Sequence, residues 1–100
     1  MKRMTNKPYR QGDVYLIPIG ILPEGATKKD GVLIRGETTG HSHRIEGGDV
    51  YIKDGTQYVV AMQKTRLVHE EHKEHQLKKG VYEVRQKREY APLSNRKVSD

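Results

Sequence analysis

Val50-Tyr51-Ile52-Lys53-Asp54-Gly55-Thr56-Gln57-Tyr58-Val59-Val60-Ala61-Met62 is a pair of β-branched and aromatic runs joined by Asp-Gly. Two-residue hairpin turns require positive φ, which Asp-Gly supplies, so the stretch predicts an antiparallel hairpin. The same grammar extends to both sides. Upstream lie Val14-Tyr15-Leu16-Ile17-Pro18-Ile19, where Pro18 argues for an edge or a bulge, then Val32 to Glu37, and His41 to Ile45 before the turn Glu46-Gly47-Gly48-Asp49. Downstream come Arg66-Leu67-Val68-His69 and, after Lys79-Gly80, Val81 to Arg88, in which Val81 and Glu83 share one face and Tyr82 and Val84 the other. The best helical candidate is Glu70 to Lys79, and its period is weak. About seven short strands with turn chemistry between them predict an all-β fold, a small antiparallel β-barrel or sandwich.

One hundred residues form one domain with a thin core. With 33% hydrophobic residues and neither Phe nor Trp, that core rests on Val, Ile, Leu and six tyrosines. Thin cores and edge strands favour self-association, so a homo-oligomer is expected. The chain has no cysteine, which rules out disulfides and thiolate metal sites and leaves His, Asp and Glu as ligands. No apolar run approaches the length of a membrane span, and Met1 to Lys7 lacks the apolar run of a signal peptide. The expected setting is the cytoplasm, or a virion if the chain is phage-encoded.

The net charge of +6 is concentrated at the ends. Residues 1–10 carry four Lys/Arg and no acid, residues 85–100 carry five against two acids, and residues 11–84 carry ten against eleven. The chain therefore divides into a flexible basic arm (1–10), a β domain (11–90) and an extended tail (91–100). Lys2, Arg3, Lys7 and Arg10 are the candidates for contact with nucleic acid or an acidic protein. No helix-turn-helix, zinc-finger or aromatic RNA-binding signature accompanies them.

All five histidines fall between His41 and His75, in two bursts. In His41-Ser42-His43 the strand period points both imidazoles to one side, with Ser42 and Arg44 on the other. The burst His69-Glu70-Glu71-His72-Lys73-Glu74-His75 offers donors from a separate segment. His41, His43, His69 and His72 are the candidate metal ligands, with Glu46, Glu70 and Glu71 as additional ligands or supporting groups. Such imidazole and carboxylate donors suit a divalent metal such as Zn, Fe, Mn or Ni. A competing chemistry is a general base, His69 oriented by Glu70 or Glu71, although no nucleophile signature is present.

The run Gly40-His41-Ser42-His43-Arg44-Ile45-Glu46, followed by a hairpin and a later histidine before Gly80, resembles a cupin motif. That resemblance implies a cupin-like, jelly-roll-like β-barrel around one divalent metal. The chain departs from the motif where Glu46 follows His43 by only three residues and where a Pro-Gly element before the last histidine is missing. A closer resemblance spans nearly the whole chain. Gln11-Gly12-Asp13-Val14, Gly36 to Ile45, Leu67 to His72 and Gly80 to Tyr90 resemble an uncharacterised family of small bacterial and phage proteins. It implies that His41, His43, His69 and His72 belong to the family pattern, and that His75 stands where an apolar residue is usual. Two functions follow as expectations: a small metal-binding β protein, or a structural or accessory module that binds through its basic termini.

Overall fold

The computed structural model describes residues 7–35 and 42–86. Among them are ten strands and no helix: β1 (Tyr9–Gln11), β2 (Val14–Ile19), β3 (Thr27–Lys29), β4 (Val32–Arg35), β5 (Ser42–Glu46), β6 (Asp49–Lys53), β7 (Thr56–Ala61), β8 (Arg66–Val68), β9 (His75–Gln76) and β10 (Gly80–Gln86). They pair antiparallel into a six-stranded sheet, ordered β1-β2-β10-β7-β6-β3, and a four-stranded sheet, ordered β4-β5-β8-β9. The two sheets make a sandwich and do not close into a barrel. The stretch Glu70 to Lys79, the best helical candidate in the sequence, is a bend followed by β9.

The hairpin predicted at Asp54-Gly55 joins β6 to β7, with Tyr51 opposite Tyr58 and Lys53 opposite Thr56. Both turn residues have positive φ, 51° and 81°, the pattern of a type I′ turn. A second two-residue hairpin joins β1 to β2 through Gly12 and Asp13. Only Gly12 has positive φ there, 62°, as in type II′. Tyr9 and Arg10, read from sequence as the end of an arm, thus lie in the sheet. Pro18 stands opposite Tyr82, while β1 reaches only as far as Leu16. On its other side Pro18 has, among the described residues, no neighbouring strand whose ladder its missing N–H would break.

The core lies between the sheets. Val14 and Leu16 of β2, Val59 and Ala61 of β7, Val50 of β6 and Tyr82 of β10 meet Leu33, Ile45, Leu67 and Leu77 from the other layer. The period-2 alternation selects these residues: Tyr82 is fully buried and Val84 packs on the same core, while Glu83 faces out. The Tyr82 hydroxyl donates to Lys78 O at 2.7 Å, so this large ring is buried without an orphaned polar atom. Thr65 ties three connections together from a fully buried position. Its hydroxyl donates to Gly47 O and accepts from Met62 N–H, both at 2.7 Å, and its carbonyl accepts from Leu77 N–H at 2.8 Å.

Candidate functional site

Where the β1–β2 hairpin crosses onto the four-stranded sheet, three histidines meet. His43 lies on the inward side of β5 with Ile45, whereas Ser42, Arg44 and Glu46 point outward, as the strand period requires. His69 follows β8 directly, and His72 lies in the bend before β9. The ring centroids are 4.3 Å apart for His43 and His69, 4.6 Å for His69 and His72, and 5.8 Å for His43 and His72.

The buried end of this cluster is held by Gln11, only 2% exposed at the end of β1. Its side-chain nitrogen donates to Leu67 O at 3.1 Å and to Lys73 O at 2.9 Å. Two carbonyls facing the same nitrogen fix the amide orientation, so Oε1 is the atom that faces His43 Nδ1 at 2.8 Å. An acceptor there requires His43 to carry hydrogen on Nδ1. When the ring is neutral, Nε2 then carries the free lone pair. His43 is 5% exposed, and its pKa is lowered from 6.5 to about 4, first by burial and then by the neighbouring His69 and His72, against the pull of Asp13 and Glu70. At neutral pH it is uncharged.

Asp13, at the tip of the same hairpin, places Oδ1 3.7 Å from His43 Nε2. Its other oxygen accepts from Gln86 Nε2 at 2.9 Å. His72 lies across Gly12, where a Cβ would stand 2.8 Å from the imidazole Nε2. The backbone N–H of Glu71 donates to His69 Nδ1 at 3.0 Å, so a neutral His69 carries its hydrogen on Nε2. Among the described residues no group of three or more His, Asp or Glu side chains is placed to hold a metal ion as it stands.

The carboxylates expected to support the histidines go elsewhere. Glu70 accepts from Ser42 N–H at 3.0 Å and pairs with Arg44 at 2.8 Å on the outward side of β5. The Ser42 N–H first, with its own backbone N–H and Arg44 adding to it, holds its carboxyl well below the usual range, at about 2. Glu46 pairs with Arg66, which also reaches Glu74 at 3.1 Å. Glu71 meets the cluster through its backbone. His75 lies in β9 with its ring 6.0 Å from Tyr9, outside the cluster. His41, Lys2 and Arg3 fall outside the described residues. Lys7 is exposed, and Arg10 is tied to the sheet, donating to Gly12 O at 3.0 Å and lying over the Tyr15 ring at 5.5 Å.

Of the residues singled out in the sequence as candidate ligands, the structure brings His43, His69 and His72 together; Gln11, Asp13 and Gln86 adjoin them and were not singled out as candidates. Gln11-Gly12-Asp13 was legible as a turn; that it also bears polar groups able to serve a site was the available signal.

A family model described as Domain of unknown function (DUF8820) matches residues 10–87. No curated protein and no solved structure matches the chain. Among the described residues no helix is long and apolar enough to cross a membrane.

Proposed function

The chain belongs to the family of that domain of unknown function, and from the matched span, which contains all three clustered histidines, we propose that the domain binds a divalent transition-metal ion at His43, His69 and His72. One observation carries the reading: His43 is buried in the tautomer that leaves Nε2 unprotonated, with the rings of two further imidazoles packed 4.3 and 5.8 Å from its own. Metal-bound histidines commonly donate their second ring N–H to a fixed acceptor, which orients the ring and raises its basicity. Gln11 stands in that relation to His43. Imidazole donors favour Zn, Fe, Mn or Ni over Mg or Ca.

The cluster needs side-chain movement to close on an ion. For His69 to ligate through Nε2, its hydrogen must pass to Nδ1 and the contact from Glu71 N–H must be given up. His72 is exposed and His69 only partly buried, so turning these rings disturbs little packing. An imidazole-rich cluster of this kind is also costly when protonated, since each added charge repels its neighbours. A single bound cation holds the rings together without that repulsion.

The test is titration of untagged, metal-stripped protein with Zn²⁺, followed by calorimetry and thermal unfolding. One equivalent should bind, and an excess of about 100 times Kd should stabilise the fold by about 2.7 kcal/mol, reversed by chelator. Unfolding that ignores both Zn²⁺ and chelator, with no binding heat, would exclude the reading.

A further inference from the structure

We propose that the Gln11-Gly12-Asp13 turn is the second half of this site, with Asp13 Oδ1 ligating the ion beside His43 Nε2. The inference rests on the metal-binding reading and adds to it a carboxylate ligand and the residues that hold it. The spacing is the first reason. Two ligand atoms each about 2.0–2.1 Å from one ion lie about 3.3–3.6 Å apart at angles of about 110–120°. His43 Nε2 and Asp13 Oδ1 are 3.7 Å apart, a tenth of an ångström beyond that range and longer than a hydrogen bond.

The second reason is the character of the two atoms. With hydrogen on Nδ1 and the ring neutral, His43 Nε2 is an acceptor, and so is a carboxylate oxygen. Both atoms offer lone pairs of the kind that a cation accepts. A cation between them is attracted to both.

The third reason is that each of the two atoms is held from behind by a glutamine. Gln11 accepts from His43 Nδ1–H, and Gln86 donates to Asp13 Oδ2 at 2.9 Å. Hydrogen bonds to the non-ligating atom of a ligand are the usual means by which proteins aim metal ligands. Gly12 completes the turn: its positive φ shapes the hairpin, and its missing side chain leaves room for His72. The resulting donor set is mixed imidazole and carboxylate, suited to Zn²⁺, Fe²⁺, Mn²⁺ or Ni²⁺.

The experiment uses the untagged full chain with Co²⁺ as the probe, reading affinity and the visible d–d spectrum. Asp13→Asn keeps the shape of a half-exposed side chain and removes its charge, so the metal-free variant should unfold as the native protein does. Its Co²⁺ affinity should fall by about 10- to 100-fold with an altered spectrum, and Gln86→Leu should weaken binding in the same direction by less. Nitrogen-15 NMR of the metal-free protein should show His43 with hydrogen on Nδ1, a pattern that Gln11→Leu abolishes. Asp13→Asn binding Co²⁺ as tightly as the native chain, while His43→Ala binds none, overturns the role of the turn and leaves the imidazole reading standing. A native protein that takes up no Co²⁺ overturns both, and a His43 carrying hydrogen on Nε2 overturns the role of Gln11.

Discussion

Outward from β5 and β8, Arg44 meets Glu70, and Arg66 meets Glu46 and Glu74. Inward from the same strands, His43 meets His69 and His72. One side matches opposite charges in water, where each exposed pair is worth little. The other gathers groups that repel one another once protonated, around a residue with almost no access to solvent. Charge matching of the first kind keeps a sheet face soluble and in register. Clustering of the second kind costs stability as pH falls and His43 must take up a proton, and it is on this inward side that the proposed function rests.

The largest break in this contrast is His43→Ala. It removes a buried ring and strands Gln11 Oε1, so it should cost about 3–4 kcal/mol in urea denaturation and abolish ion binding. Next comes pH. His43 titrates at about 4 in the fold against 6.5 ordinarily, so the unfolded chain takes up the proton first. Stability of the metal-free protein is therefore complete above pH 6.5 and declines as pH falls toward 4, by on the order of 3 kcal/mol. Glu70, at about 2 against 4.5, contributes stability that is complete above pH 4.5 and lost only as pH falls toward 2. Between pH 6.5 and 4.5 the decline should come from the inward side, and a denaturation midpoint that is flat across that window would contradict the assignment.

Gly12→Ala should have a smaller effect. It adds strain at a positive φ, about 1 kcal/mol, and pushes His72 aside, so ion affinity should drop more than the melting temperature suggests. Smallest of all, Arg66→Ala on the outward side should change stability by no more than about 1 kcal/mol, less at high salt, and leave ion affinity unchanged. If Arg66→Ala matched His43→Ala in cost, the contrast between the two sides would be lost.

The sequence made the stronger strands plain and hid the weaker ones, for a physical reason. Asp54-Gly55 carries its own turn geometry, and Tyr82 and Val84 alternate with polar residues, so both were readable locally. Thr27-Lys28-Lys29 holds no apolar residue, and β9 is two residues long; both are edge strands ordered by their neighbours. In the site, the alternation of Ser42, His43, Arg44 and Ile45 separated inward from outward correctly. The same alternation turns Glu46 away from His43, and Arg44 pairs with Glu70 on the outer side, so the carboxylate found beside His43 Nε2 is that of Asp13. Gln11 was invisible because a glutamine beside glycine reads as solvent-facing turn, and its burial comes from residues 56 and 62 positions away.

That distance along the chain has a kinetic consequence. The β1–β2 hairpin holds the first two described strands, yet its next neighbour in the sheet is β10, the last described strand. Until residues 80–86 arrive, the hairpin is a two-stranded ribbon, which is marginal in water. Asp13 and Gln86, 73 positions apart, can meet only after the longest loop closures in the fold have been made. The proposed ion site is therefore complete only once these distant segments have docked, and the rate at which a refolding chain takes up Zn²⁺ is expected to report the docking of the β1–β2 hairpin against β10.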